Sequence, residues 1–303
     1  MPGLNKSKRK TAARVAAAKP RPKVAAKPAP PAIAKPKADF RDIRLPAPAI
    51  ARKLPVRGPD FARPDPEIIK RLEAVSTATA SAILHRMGIR QAFIAGPVTR
   101  QPGAKVVGPA ITLQFLPKRE DVLAGVSEGL REEHMEKATA LWAVFETVEP
   151  GDVLAVQAAG DPRTGCMGEM LITYFKGRGG IGIVVDGCIR DWPHVQEIGT
   201  PLWTRGATPN YASQGTLFPW GYNVPVDLSS VLVLPGDIMI ADDDGALVVP
   251  AQMASLVLEH TLDHEEWEVF SRMKLAGGGR LEKYYPLSDE GWAEYEEWRR
   301  NRA

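Results

Sequence analysis

Apolar positions divide the chain into a patternless first fifth and a strongly patterned remainder. Through residue 60 they are mostly Ala and Val set among Lys and Pro, as in KPAPPAIAKPK, with no recurring spacing. Such a segment has too few large apolar groups to offset its ordering entropy, and each proline removes a backbone donor. Residues 1–60 are therefore expected to form a disordered tail. The pattern changes near Pro64. Ile68, Ile69 and Leu72 recur at helical spacing in DPEIIKRLEAV, and Ser76 or Thr77 can cap a second helix, TATASAILHRMGI, which Gly88 ends. AKVVGPAITLQFL then alternates and is rich in β-branched residues, the mark of a β-rich stretch. Residues 121–147 carry long helical periodicity through Val122, Leu123, Val126 and Leu130.

A strand–helix–strand unit follows. GDVLAVQAAG reads as a strand entered through a Pro150-Gly151-Asp152 turn, GEMLITYFKGRGG as a helix stopped by glycines, and IGIVVDG as a buried strand. Between 201 and 250, PLWTRG, VPVDL, VLVLPGD, IMIADDDG and ALVVP read as short strands separated by turns. Residues 251–271 are helical, and a Trp- and Glu-rich helix closes the chain. The pattern predicts a mixed α/β body, with a core over 61–255 and a helical extension over 256–303. No repeat is found, and no run nears the ~18 consecutive apolar residues that a membrane span needs.

Composition changes this picture in two places. The net charge of +3 conceals a tail of +10, with eleven Lys/Arg against Asp39 in residues 1–40, attached to a body of −7. The body's balance gives no support for a nucleic-acid surface. The tail can hold nucleic acid or an acidic partner weakly by counterion release, or act simply as a solubilising extension. Two cysteines, Cys166 and Cys188, cannot build a disulfide framework, and the basic N-terminus lacks a secretory apolar core, so a cytoplasmic setting is expected.

Three patterns imitate functional sites. Gly177, Gly179 and Gly182 have a GxGxxG spacing, but they close a helix and open a strand, the reverse of a dinucleotide site. Asp242, Asp243 and Asp244 precede Gly245 between two apolar runs, where Asp-Gly signals a hairpin. His260 and His264 share a helix face but lack a third ligand nearby and the Glu of a zinc protease.

The informative stretch is DPRTGCMGEMLITYFKGRGGIGIVVDGCIRD, residues 161–191. A Gly-rich loop leads into a helix N-terminus where the amides of Glu169, Met170 and Leu171 precede any intrahelical partner, an end suited to a carboxylate or phosphate. The following strand should deliver Asp186, Arg190 and Asp191 just beyond its C-terminal end, where α/β sheets usually bind ligands. Glu169 and Asp191 can hold a hard divalent ion with water still on it, and Arg190 can bind an oxyanion. The plainer alternatives are an Asp191 that caps a short helix and a Glu169 that favours the helix dipole.

Glu169, twenty residues, then Arg190-Asp191, together with VDGCIRD and the preceding GCMGE loop, resembles the family of the regulator of ribonuclease activity A. That family also contains metal-dependent 4-hydroxy-4-methyl-2-oxoglutarate aldolases. The likeness continues through STATASAILHRMGI, VVGPAITLQFLPKRED, VEPGDVLAV and PGDIMIADDDGALVVP, over roughly residues 66–275. It implies an αββα sandwich of the swivelling, phosphohistidine-like type, assembled as a homotrimer or hexamer with sites between subunits. It also implies a carbon–carbon lyase using Mg²⁺ or Mn²⁺ to cleave a 4-hydroxy-2-oxo acid to pyruvate, with oxaloacetate decarboxylation as a side activity. Asp191 would bind the metal, Glu169 would hold its water, and Arg190 would contact the carbonyl oxygen. The loop at Gly168 and the amides of Met170 and Leu171 would take the carboxylate. A further acid, Glu265 or Glu266, would come from a neighbouring subunit. Two departures stand out: Glu169 replaces the family's Asp, and Ala82 stands where members commonly carry Asp. The alternative function is a non-catalytic inhibitor of an RNA-processing endonuclease.

Overall fold

The computed structural model describes residues 46–127 and 136–302, apart from the side chains of residues 262 and 263. The basic segment 1–45, and with it most of the expected tail, lies outside the described residues. Twelve strands and nine α-helices occupy the rest. The strands are β1 (Val56–Arg57), β2 (Phe93–Ile94), β3 (Val98–Thr99), β4 (Val106–Pro117), β5 (Val153–Gln157), β6 (Gly182–Ile189), β7 (Leu202–Ala207), β8 (Leu217–Tyr222), β9 (Val226–Leu228), β10 (Val231–Val233), β11 (Ile238–Asp242) and β12 (Gly245–Val249). The helices are α1 (Pro66–Leu72), α2 (Thr77–Arg86), α3 (Glu120–Val126), α4 (Ala140–Phe145), α5 (Glu169–Gly177), α6 (Trp192–Ile198), α7 (Ala254–Ala276), α8 (Leu281–Tyr284) and α9 (Asp289–Arg300).

One mixed sheet runs β2-β12-β11-β4-β5-β6-β7-β3, and β8 leaves the path to pair with β4. β4 through β7 are parallel, and β6 is buried at every position. Burial on both faces explains why its sequence is a continuous apolar run rather than an alternation. β4 is twelve residues long and changes partners along its length. Val106–Pro109 pairs with β11, Ala110–Gln114 with β5, and Leu113–Pro117 with β8 across a bulge at Gln114/Phe115. Asp242 pairs with Gly245 at the expected hairpin, and its carboxylate accepts the Thr77 N–H at 2.9 Å and hydroxyl at 2.5 Å, tying α2 to the turn.

Helices cover the sheet on separate apolar clusters. Phe145 of α4 and Phe175 of α5 meet edge to face at 6.4 Å above the parallel strands, and both rings are fully buried. Each such ring contributes about 1.5–3 kcal/mol. Leu72, Leu84 and Val257 of α1, α2 and α7 pack with Ile238 and Ile240 of β11. Beyond this, Phe270, Tyr284, Leu287 and Tyr295 form a small aromatic core among α7, α8 and α9. α5 ends where Gly179 takes φ +93°; a Cβ there would lie 2.9 Å from the Pro150 Cα, so glycine is required.

The structure changes four expectations. Residues 46–60 are ordered: Ala49–Lys53 forms a 3₁₀ turn, and Val56–Arg57 pairs in parallel with Gly221–Tyr222. The 121–147 run is not one helix. α3 ends at Val126, Glu136–Ala138 is a 3₁₀ turn, and α4 restarts at Ala140; residues 128–135, including Leu130, lie outside the described residues. Leu217–Tyr222, outside the short strands expected between 201 and 250, forms strand β8, whose Pro219 sits beside the bulge. Finally, β6 continues to Ile189, so Asp186 is inside the strand rather than beyond it. Among the described residues no helix is long and apolar enough to cross a membrane.

Candidate functional site

The loop before α5 is held as firmly as a strand. Cys166 N–H donates to the Cys188 carbonyl at 2.9 Å, Arg190 N–H donates to Met167 at 3.0 Å, and Gly165 bridges Cys188 in parallel. At the loop's start, the Asp161 carboxylate accepts the hydroxyls of Thr164 at 2.5 Å and Thr216 at 2.9 Å. Burial acts to raise the pKa of Asp161, but these hydroxyls and Arg163 outweigh it and hold the carboxyl below its ordinary value. The carboxylate therefore stays charged and keeps the loop pinned.

α5 begins after Gly168, and its first helical bond runs from Ile172 N–H to the Gly168 carbonyl at 3.1 Å. The amides of Glu169, Met170 and Leu171 precede it, at the positive end of the helix. Asp191 sits opposite them. It occupies the N-cap position of α6 in the left-handed region, φ 58° and ψ 33°, yet its side chain makes no capping hydrogen bond. Its Oδ2 instead accepts Arg190 Nε–H at 3.0 Å and the Glu169 amide at 3.4 Å. The helix-cap alternative thus fails for the carboxylate, which turns away from α6 toward the start of α5. Both bonds end on Oδ2, which leaves Oδ1 for a ligand. Backbone strain maintained at such a residue is a pointer to function.

Arg190 and Asp191 line a cleft of about 580 Å³, together with Gly168, Met170 and Leu171. Gly168 is the hinge of the arrangement. A Cβ there would lie 2.3 Å from Asp191 Oδ2 and 2.9 Å from Arg190 Cγ and Nε, so any side chain would fill the space these two groups occupy. The donors are carboxylates, and among the described residues no group of three or more His, Cys, Asp or Glu forms a ready-made metal cage. One or two carboxylates with open space beside them suit a hard cation that keeps much of its water. The Asp191 carboxylate and the gap at Gly168 fit that description.

Other expected residues lie elsewhere. The Glu169 carboxylate is not in the cleft wall but reaches His194 of α6, with Oε2 3.4 Å from Nδ1. Glu265 accepts from the Ser76 amide and hydroxyl, both at 3.3 Å, and Glu266 pairs with Arg299 at 3.1 Å; neither lines this chain's cleft. Asp186 pairs with Arg205 and accepts from Ser229, fastening β6 to β7 and the 229 turn. Around the cleft, Tyr174 lines its wall, Arg163 pairs with Asp161, and Trp192 lies under the Arg100 guanidinium at 5.0 Å. His264 pairs with Glu268 at 3.1 Å.

The sequence reading missed His194, Tyr211, whose ring lies 5.9 Å from the Arg190 guanidinium carbon, and the α4 wall of Leu141, Trp142 and Phe145. One signal was available: His194 stands three residues past Asp191, one turn along a short helix. Burial pushes the thiols of Cys166 and Cys188 above their ordinary values, so both remain protonated and act as packing groups.

A family model described as RraA-like, Aldolase/RraA, matches residues 74–248. The chain belongs to the RraA-like family. A solved Streptomyces coelicolor structure, described as RraAS2, an unusual member of the RNase ES inhibitor RraA protein family, is 54% identical. The match covers 71% of this chain and 100% of that one, with a TM-score of 0.64. A Thermus thermophilus protein named 4-hydroxy-4-methyl-2-oxoglutarate aldolase is 35% identical over 108 residues, which is 35% of this chain and 64% of that protein. Legionella pneumophila protein DlpA is 25% identical over 223 residues, 72% of this chain and 33% of its own length. The chain thus spans less than two thirds of the length of the first curated relatives it matches.

Proposed function

We propose that this RraA-like chain is a cytoplasmic carbon–carbon lyase that cleaves a 4-hydroxy-2-oxo acid to pyruvate, with oxaloacetate decarboxylation as a side activity. The observation that carries the reading is the meeting of Arg190, Asp191 and the α5 N-terminus around the gap at Gly168. Asp191 would hold Mg²⁺ or Mn²⁺, Glu169 would hold its water, and Glu265 or Glu266 of a neighbouring copy would complete the shell in a homotrimer or hexamer of swivelling-type αββα sandwiches. When bound, the cation supplies Lewis-acid polarisation of the 2-oxo group.

The chain's own residues do the rest. The Met170 and Leu171 amides receive the substrate carboxylate at the positive end of α5. The Arg190 guanidinium, fixed through Nε to Asp191, turns its remaining N–H groups to the 2-oxo oxygen and stabilises the negative charge that grows there. Glu169 orders the water that takes the proton from the 4-hydroxyl. Its carboxylate reaches this position by leaving His194, an exchange between half-exposed and exposed groups that costs little.

Pyruvate release from oxaloacetate and from 4-hydroxy-4-methyl-2-oxoglutarate, with Mg²⁺ or Mn²⁺ and with EDTA, tests this. Release should stop with chelator and fall at least a hundredfold in Arg190→Ala. Turnover indifferent to both changes removes the mechanism. The 54% identity to RraAS2 favours a second reading, a non-catalytic inhibitor of an RNA-processing endonuclease, with the basic segment 1–45 on an RNA-bound partner. Tight endonuclease binding without metal-dependent turnover would put that reading first.

A further inference from the structure

The turn that follows β7 is pinned against the loop that precedes α5. Thr208 N–H donates to the Ile189 carbonyl at 2.9 Å, and the Asn210 side-chain amide donates to the Arg163 carbonyl at 2.9 Å. The Asn210 carbonyl oxygen would lie 2.2 Å from a Cβ on Gly165, and the Asp161 carboxylate ties Thr164 to Thr216. Within the turn, the Gln214 side chain accepts the Tyr211 N–H at 3.1 Å, and the Gln214 N–H donates to the Tyr211 carbonyl at 3.0 Å. This held turn presents Tyr211 to the cleft, with its ring 5.9 Å from the Arg190 guanidinium carbon. An aromatic ring that serves packing is buried, yet Tyr211 stays 38% exposed. Both groups belong to one chain, so the contact needs no neighbouring copy.

We propose that Tyr211 is a positioning residue for Arg190, its ring fixing the plane of the guanidinium that meets the 2-oxo oxygen. This rests on the lyase reading above and adds a residue to its site. The Nε–H bond to Asp191 by itself leaves the guanidinium plane free to turn about that bond. A ring within about 6 Å attracts the cation and removes part of that freedom. The terminal N–H groups then keep their aim on the oxygen where negative charge grows. Such an effect lowers the barrier rather than tightening ground-state binding. The ring acts through Arg190 and transfers no proton from its hydroxyl. Phenylalanine should therefore serve as well, and leucine, which is apolar but has no π face, should not.

The test follows deuterium exchange into the pyruvate methyl group with Mg²⁺ in Tyr211→Leu and Tyr211→Phe. Tyr211→Leu should lower kcat by about twofold or more, the lower end for an exposed cation–π contact, and leave KM unchanged. Tyr211→Phe should keep the native kcat. In an Arg190→Lys background, where the ammonium has no plane to orient, adding Tyr211→Leu should cost less than about twofold. Four results overturn the positioning role and leave the lyase reading intact: a smaller loss in Tyr211→Leu, a loss carried by KM alone, a Tyr211→Phe protein as slow as Tyr211→Leu, or an undiminished loss in the Arg190→Lys background. A native protein that exchanges with neither Mg²⁺ nor Mn²⁺ defeats the lyase reading. Calorimetry with oxalate, a planar analogue of the pyruvate enolate, then decides the role of Tyr211. Oxalate bound at least twofold more weakly by Tyr211→Leu than by the native and Tyr211→Phe proteins sustains it. A smaller difference, a Tyr211→Phe protein as weak as Tyr211→Leu, or no binding to any of the three overturns it.

Discussion

Replacing Gly168 by alanine forces a collision whose size is set by the structure. The added Cβ would lie 2.3 Å from Asp191 Oδ2, whereas ordinary contact begins near 3.4 Å. The carboxylate, or Arg190 behind it at 2.9 Å, must therefore move by about 1 Å, and a displacement of that order costs roughly a hundredfold in rate. The backbone itself accepts alanine, since Gly168 has φ −132° and ψ −167°. The strain is thus local to the site, about 1–3 kcal/mol of overpacking, or roughly 2–12 °C in Tm for a domain of this size. Gly177→Ala is the matched control, because its Cβ would meet nothing within 4 Å. Pyruvate release with Mg²⁺, measured beside a thermal melt, should show Gly168→Ala folded and about a hundredfold slower, with Gly177→Ala at the native rate. A Gly168→Ala enzyme within threefold of native would refute the placement of Asp191 and Arg190 at the reacting centre.

Three further outcomes are expected. Arg63→Ala should destabilise the fold by about 3 kcal/mol in denaturant titration, because it strips the buried Asp152 carboxylate of two 2.8 Å bonds; adding Asp152→Asn should recover part of the loss. Hydrogen bonds from Lys274, Lys283 and Tyr284 hold Glu294 down at about 2, so its stabilising effect is complete above the ordinary carboxylate range and lost as pH falls toward 2. Tryptophan fluorescence from Trp267 and Trp298 should report loosening of the α7–α9 cluster between pH 4.5 and 2, and Glu294→Gln should flatten that transition. Finally, His194→Ala should alter lyase kcat/KM by less than about fivefold, the ~1 kcal/mol ceiling of an exposed ion pair. A larger loss would mean that Glu169 depends on His194 for its position.

Local physics made much of the fold readable. β5 and β6 are short apolar runs bounded by turn residues, and α2 carries its own cap in Ser76, so neighbours in sequence determine them. β8 was hidden because Pro219 and Gly221 read as breakers, and only the bulge in β4 makes room for them in a strand. The order of residues 46–60 depends on pairing Val56 with Gly221, 165 positions away, which no local pattern announces. At the site, the helix N-terminus and the Arg190-Asp191 pair were legible from spacing. The left-handed turn at Asp191 was not, because it depends on the tertiary register of α5 against α6, and the Glu169–His194 contact follows from that register.

The central claim is that Arg190 and Asp191 at the start of α5 form the reacting end of a pyruvate-enolate site. Deuterium exchange into the pyruvate methyl group, followed by proton NMR, tests it most directly, since no distal group takes part. The native protein should exchange with Mg²⁺ or Mn²⁺, stop on adding EDTA, and slow at least a hundredfold as Arg190→Ala. A native protein that never exchanges, or an Arg190→Ala variant that exchanges at the native rate, would contradict it.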